Sequence, residues 1–358
     1  MHMADALLAP TVAATMYAAS TVTAGASIVK LNREEKLDHE SAAKKLPTMA
    51  VMSALVFAGQ MINYTIPGTG SSGHICGGML LTSVLGPWAG FLSMIAVLAI
   101  QCLFFADGGL MALGANIWNM AFYGCFVGYF LIYRPIMHSN WFSGKGEKAA
   151  GRLKIIAASV IVTLQLGAFS VVVETSLSGI ADIPFGVFCA IMQPIHLAIG
   201  LVEGLITAAV LIFIYNSRPE ILMDYTPVEG STDKRSYKTV IAVLAVAAVL
   251  VGGVFSLFAS SNPDGLEWSL FGNEEAGYSA NLGLDEDDYG YASDAAAKAE
   301  AVQEKTTFLP DYAFSSDAEN PAGTSVSGLV GSAMVAAAAV LICLIGGYFR
   351  KHKNKKTA

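Results

Sequence analysis

Histidine follows methionine at the start of the chain, Met1-His2-Met3. That placement puts three nitrogens within reach of one metal ion: the Met1 amine, the His2 backbone amide and His2 Nδ1. Binding through all three closes one five-membered and one six-membered ring. The amide must give up its proton, which Cu²⁺, Ni²⁺ and, with more difficulty, Co²⁺ induce. Three nitrogens in a plane leave one corner of a square, which suits Ni²⁺ or Cu²⁺ better than tetrahedral Zn²⁺. A second-position histidine equally fits an idle, frayed terminus, so the rest of the chain decides.

The fourth corner has a candidate in Gln60-Met61-Ile62-Asn63-Tyr64-Thr65-Ile66-Pro67-Gly68-Thr69-Gly70-Ser71-Ser72-Gly73-His74. Gly68 and Gly73 have the spacing of a phosphate-binding P-loop. His74 stands where that loop needs lysine and no Ser or Thr follows, which argues against a nucleotide site. The glycines instead permit positive φ and a re-entrant path, tolerated at membrane depth where protein covers it or it lines a polar cavity. His74 is expected to supply the fourth nitrogen; a histidine hydrogen-bonded within a helix cap is the plainer alternative. Gln60, Asn63, Ser71 and Ser72 either hold the imidazole tautomers from behind or simply pack against the loop. Met3 and Cys76 are expected to be structural, because four nitrogens fill the plane.

The elements that must position these groups are membrane helices. Of 358 residues, 54% are hydrophobic and 14% charged, against about 25% charged in a soluble domain. Apolar runs near 5–29, 47–66, 75–87, 88–106, 112–133, 155–178 and 186–216 read as seven spanning helices. The third and fourth meet at Gly86-Pro87, where proline stops one helix or starts the next. Two further runs lie near 239–260 and 328–349. Nineteen of the 21 Lys and Arg fall in 30–45, 134–154, 218–238 and 350–356. With nine helices and the N-terminus outside, all four stretches are cytoplasmic, the positive-inside arrangement. The N-terminus, the 67–74 loop, the turn Asp107-Gly108-Gly109 and region 261–327 then share the outer face.

The first run lacks a basic n-region and its positive charges follow it, so it reads as a retained helix and not a signal peptide. The bulky His2 is also expected to keep Met1 from being trimmed. Five cysteines without CxxC spacing give no thiolate cluster or disulfide framework. The net charge of −7 misleads, since 262–325 holds 14 acidic residues and two lysines. That stretch, with Asp285-Glu286-Asp287-Asp288, is expected to be a poorly ordered, solvated outer tether; raising the local cation concentration is the alternative.

Several ordered motifs resemble one family. Met1-His2-Met3, the Ile66-to-His74 loop followed by Gly77-Gly78, Gly86-Pro87-Trp88, Gln101-Cys102-Leu103-Phe104-Phe105-Ala106-Asp107-Gly108-Gly109, Ala112-Leu113-Gly114-Ala115-Asn116 and His196-Leu197-Ala198-Ile199-Gly200-Leu201-Val202-Glu203-Gly204 look like the CbiM/NikM family. These are substrate-binding (S) components of energy-coupling-factor transporters for cobalt and nickel. The resemblance spans about residues 1–216 and implies that Met1, His2 and His74 hold the metal. Asn262-Pro263-Asp264-Gly265-Leu266-Glu267-Trp268 resembles the PDGLE motif of the small CbiN/NikN companion, fused here behind the S component. The resemblance implies a metal-binding membrane domain at 1–216 and a cytoplasmic linker at 217–238. A two-helix companion part at 239–349, with outer loop 261–327, and a basic tail at 350–358 complete it. It also implies Ni²⁺ or Co²⁺ as substrate and a multi-pass protein of the cell membrane serving cobalamin biosynthesis or a nickel enzyme. The implied partners are a transmembrane T component (CbiQ/NikQ-like) and two cytoplasmic ATPases (CbiO/NikO-like), through which alone ATP acts. Nucleic acid is not an expected partner.

Other polar residues lie within the helices. Glu203 shares a face with His196, seven residues earlier, and serves either a metal exit path or a structural hydrogen bond, for instance to Asn116 or Asn119. Ala50, Ala54 and Ala58 form a small-residue stripe that allows close helix approach. In S components such a stripe docks the T subunit; packing within the chain is the alternative. An intramembrane metalloenzyme is disfavoured because no HExxH or paired catalytic carboxylates accompany His2 and His74. A passive channel is disfavoured because a tridentate chelate holds metal too tightly for flux.

Overall fold

Lipid leaves no solvent partner for backbone N–H and C=O groups, so a spanning chain satisfies them within helices. The computed structural model describes all residues except 38, 140–146, 180–182, 226–234, 279–281, 283, 285–289, 291, 318–319 and 356–358; side chains are further undescribed at 35–44, 147–150 and 344–355. The run Asp285 to Asp288 lies outside the described residues.

Twelve α-helical elements are described: α1 (Pro10–Leu37), α2 (His39–Gln60), α3 (Gly78–Leu85), α4 (Pro87–Phe105), α5 (Leu113–Ile117), α6 (Arg134–His138), α7 (Glu147–Leu177), α8 (Phe185–Ser217), α9 (Tyr237–Gly253), α10 (Gly265–Phe271), α11 (Asp294–Thr306) and α12 (Ala322–Lys355). A wide π-helical stretch, Trp118–Tyr133, joins α5 to α6 in one continuous rod. Among the described residues, seven helices are long and apolar enough to cross a membrane: Pro10–Glu34, Pro87–Phe105, Leu113–His138, Gly151–Leu177, Phe185–Ser217, Tyr237–Phe258 and Ala322–Cys343. Leu201, Leu205, Val246 and Val249 stay exposed on them, as lipid-facing side chains should.

Two of the expected spans change character. The run near 75–87 contains only the eight residues of α3, about 12 Å of helix against a hydrocarbon layer of about 30 Å. Every residue of α3 is buried, so its hydrophobicity reflects burial in protein. Gly86, at φ 83°, ends it and Pro87 opens α4. The run near 47–66 stops being helix at Gln60. It continues into a hairpin of β1 (Tyr64–Ile66) and β2 (Ser71–Gly73), paired Tyr64 to Gly73 and Ile66 to Ser71. The glycine loop is thus a hairpin turn, with Gly68 and Gly70 at positive φ.

The alanine stripe on α2 is covered from within the chain, because α9 and α12 pack along α2. Ser332 Oγ donates to the Ala54 carbonyl at 3.3 Å. A Cβ at Gly252 would lie 3.3 Å from Ala58 Cβ, and one at Gly331 would overlap the Phe57 ring. Ala54 and Ala58 are buried and Ala50 is partly so. Of the two readings of Ala50, Ala54 and Ala58, packing within the chain accounts for Ala54 and Ala58, whose small side chains admit the chain's own C-terminal helices.

The described residues of 261–327 are more ordered than a tether. They carry α10 and α11 and pack on the rest of the protein through Leu266, Leu270 and Leu309. Gln303 Nε2 donates to the Cys102 and Gly108 carbonyls, both at 2.8 Å. Phe308 N–H donates to Phe104 O at 3.2 Å. These anchors are sparse in sequence and masked by the surrounding acidic residues.

Candidate metal centre

The N-terminal strand is seated by backbone hydrogen bonding. Met3 N–H donates to Asn116 Oδ1 at 2.7 Å, and Asn116 Nδ2 returns a bond to Met3 O at 3.2 Å. Gly109 N–H also reaches Met3 O, at 2.9 Å. Ala112 N–H donates to Asp5 Oδ1 at 2.8 Å. Gly108, at φ 80°, brings the 107–109 turn this close; a Cβ there would lie 2.8 Å from Asn116 Nδ2 and 3.2 Å from His2 Cβ. Met3 is fully buried and packs as core, as its sequence context suggested.

His74 follows β2 directly and its neighbours are clamped. The Glu203 carboxylate accepts from Cys76 N–H at 2.9 Å and Gly77 N–H at 2.8 Å. Gln60 Nε2 donates to Cys76 O at 2.7 Å. Gly77 adopts φ 79° to turn the chain into α3, where a side chain would strike Val56. Glu203 is therefore a structural group, as one reading of its position held, but its partners are loop amides and not Asn116 or Asn119. Asn119 instead donates to Glu174 at 2.8 Å.

The two histidines meet. Their rings stack with centroids 5.3 Å apart and planes 27° from parallel. The Met1 ammonium lies 3.0 Å from Asp264 Oδ2, and His2 Nδ1 lies 3.0 Å from Asp107 Oδ1. His2 Nε2 is 3.2 Å from Gln101 Oε1. A ring hydrogen on Nε2, given to Gln101, leaves the Nδ1 lone pair for chelation. His74 Nδ1 is 3.0 Å from Ile75 O, so Nδ1 carries the hydrogen and Nε2 carries the lone pair.

Burial, helped by the nearby Met1 ammonium, lowers the His2 pKa to about 3 and that of His74 to about 4. Both rings are neutral donors at ordinary pH. Burial opposes the charges of the Met1–Asp264 pair, yet their attraction wins: the amine pKa is raised and the Asp264 carboxyl is held well below the usual range. Burial raises the Asp107 pKa, against a hydrogen bond from Tyr312.

Of the residues expected to hold the imidazoles from behind, none hydrogen-bonds to a ring. Ser72 Oγ donates to Asn262 O at 2.7 Å and Ser72 N–H to Pro263 O at 2.8 Å. Ser71 Oγ donates to Ser72 O at 3.1 Å, and Asn63 O accepts from Ser260 N–H at 2.7 Å. Ser72 and Asn63 thus pin the segment before Asp264 to the hairpin. Gln60 shapes the loop after His74. The groups against the rings are Gln101, Asp107 and Ile75 O, and the countercharge is Asp264. Asp107 and Asp264 stood in glycine-flanked turns, Asp-Gly-Gly and Pro-Asp-Gly, the one signal that could have found them. Among the described residues, no group of three or more His, Cys, Asp or Glu side chains is arranged to hold a metal. The other nitrogens beside the rings are those of the Met1 amine and the His2 backbone amide. A cavity of about 1370 Å³ bordered by His2, His74, Asp107, Asp264, Glu267 and Tyr312 opens onto it.

Comparison with known proteins agrees with this architecture. The family described as cobalt uptake substrate-specific transmembrane region (CbiM) matches residues 2–221, and the PDGLE domain matches residues 238–346. A chain of Archaeoglobus fulgidus assigned as a fused nickel transport protein, NikMN, is 33% identical over 94% of this chain and 96% of its own length. The fused nickel transport protein NikMN of Rhodobacter capsulatus is 28% identical over 94% and 95%. The crystal structure of a truncated transition metal transporter superposes with TM-score 0.51 at 31% identity, covering 60% of this chain and 99% of that one.

Proposed function

The chain belongs to the CbiM cobalt-uptake family, fused to a PDGLE domain, and from this we propose that it captures Ni²⁺ or Co²⁺ for import as the substrate-binding component of an energy-coupling-factor transporter. The ligands are the Met1 amine, the His2 amide nitrogen, His2 Nδ1 and His74 Nε2, in one plane. The supporting observation is the stacking of His2 on His74, 5.3 Å apart, which brings donors 72 residues apart in sequence into one buried cluster. Both imidazoles are neutral there, as metal ligands must be.

The metal is the substrate. Its binding exchanges protons: the ammonium and the amide each release one, and Met1 leaves Asp264. His2 Nδ1 turns from Asp107 while Nε2–H stays on Gln101, an outer hydrogen bond that fixes the tautomer. The N-terminus, the hairpin turn, Asp107 and the described residues of 261–327 gather at one end of the helices, and the positive-inside distribution of Lys and Arg supports reading that end as extracytoplasmic. Transport draws on a T component and two ATPases, since the sequence has no complete phosphate-binding motif of its own. One added residue before Met1, or acetylation of its amine, removes a ligand and leaves the fold. Calorimetric titration with Ni²⁺ and Co²⁺ is expected to lose high-affinity binding; unchanged affinity would sink the ligand assignment.

A further inference from the structure

The PDGLE part meets the rest of the chain along a seam that is open within the membrane span. Helix α9 packs chiefly on α2 and α12, and α8 on α7, which leaves a space between the facing sides of α8 and α9. A cavity of about 450 Å³ lies there. It is walled by Leu55 of α2, Val210 and Phe213 of α8, and Leu244 and Ala247 of α9, with Tyr64 at the hairpin end. The Tyr64 hydroxyl is engaged elsewhere, donating to Ile199 O at 3.1 Å. Ile206 and Val243 border the same space and stay exposed, so it opens on the lipid-facing surface of two spanning helices. From Ile206 to Phe213 it follows α8 for about 10 Å.

Such walls offer water no hydrogen-bond partners, and an empty space forfeits contact with its own lining. A hydrocarbon chain supplies that contact. One end of the groove is charged. Arg235 precedes α9, and its guanidinium carbon lies 5.9 Å over the centre of the Phe213 ring, within cation–π range. The Arg235 carbonyl accepts from Arg218 Nη1 at 3.1 Å, which ties this segment to the end of α8. Arg218 is itself paired with Glu220. Among the described residues no carboxylate pairs with Arg235, which is exposed. A guanidinium at the mouth of an apolar groove presents N–H donors in the fork that matches a phosphate.

We propose that this seam binds one anionic phospholipid, with an acyl chain between α8 and α9 and the headgroup phosphate on Arg235. The groove alone accepts the chain of any lipid; the arginine at its mouth favours a headgroup of net negative charge. Bound there, the lipid bridges the facing sides of α8 and α9 and so joins the PDGLE part to the metal-binding part within the bilayer.

Native mass spectrometry tests this on the full-length protein in detergent, titrated with phosphatidylglycerol and separately with phosphatidylcholine. One phosphatidylglycerol is expected to be retained in preference. Arg235→Gln is expected to weaken it roughly fivefold, the effect of one cation near a membrane surface. Ala247→Trp fills the groove from α9 and is expected to abolish that binding, and Ala209→Trp fills it from α8 as a second variant. Equal retention of the two lipids by the unaltered protein would overturn the proposal, and that comparison needs no variant to fold. So would phosphatidylglycerol binding unmoved by both tryptophan variants in monodisperse samples. A photoreactive benzoylphenylalanine in place of Ala209, irradiated in native membranes, is expected to add the mass of a phospholipid. A crosslink to another protein chain instead would give the groove to a partner helix and end the lipid assignment.

Discussion

The N-terminal strand is gripped from two sides, and the grips differ in kind. On one side Asn116 and Gly109 hold the Met3 backbone, and Ala112 N–H donates to the Asp5 carboxylate. On the other side Asp264 and Asp107 face the Met1 ammonium and His2 Nδ1. The first grip does not touch the proposed ligand nitrogens and, on that proposal, persists when metal binds. The second contacts those same nitrogens and, on that proposal, is given up. One side fixes the position of the N-terminal segment; the other occupies the nitrogens that we propose as ligands.

The comparison is tested hardest at the ligands. His2→Ala and His74→Ala are expected to reduce Ni²⁺ affinity by at least about a hundredfold while the helices remain folded; calorimetry and circular dichroism together check both halves. Next is pH. With two protons displaced per metal, affinity is expected to rise roughly a hundredfold per pH unit while the amine stays protonated in the free protein. Proton release measured in buffers of differing ionisation enthalpy counts them, and a count of zero would end the charged-exchange picture.

Asn116→Ala attacks the neutral grip. It leaves the Met3 N–H and C=O buried with fewer partners, a cost of about 1–3 kcal/mol per orphaned group. Affinity is expected to drop about 10–100-fold, with a lower thermal midpoint. Asp264→Asn attacks the charged grip. Without the carboxylate the raised amine pKa falls back, so the curve of affinity against pH moves to lower pH. A curve that stays in place would show that the pair does not control the amine.

The stability contributed by that pair has a definite window. The amine pKa is raised from 8.0, so its contribution is full below that value and fades as pH climbs through the folded value. The Asp264 pKa is lowered from 3.8, so its contribution is present above that value and fades as acid protonates it. The C-terminal part is therefore held most firmly to Met1 between about 3.8 and 8.0. The smallest effect belongs far from the centre: Ala54→Leu overpacks the α2 contact and should cost about 1–3 kcal/mol in stability, with nickel affinity unchanged.

The sequence made the proposed ligands legible because their chemistry is local. Methionine-histidine at a terminus is a chelate by covalent connection alone, and His74 was marked by the glycines before it. The apolar runs placed most of the spanning helices. The eight-residue α3 was misjudged because burial in protein and burial in lipid select the same side chains. The contacts of Asp264, Asp107 and Gln101 were hidden for another reason. Each meets its nitrogen across at least 99 residues of chain, and no local period encodes such a pairing. The alanine stripe showed that something packs closely there without saying what.

The cover on that stripe has a kinetic consequence. Helices α9 and α12 belong to the same molecule as α2, so their encounter is intramolecular and governed by an effective concentration, of millimolar order for short connections. Asp264 therefore reaches the Met1 amine in every copy, whatever the abundance of the protein. A free companion subunit added in trans would need roughly millimolar levels to displace the built-in one.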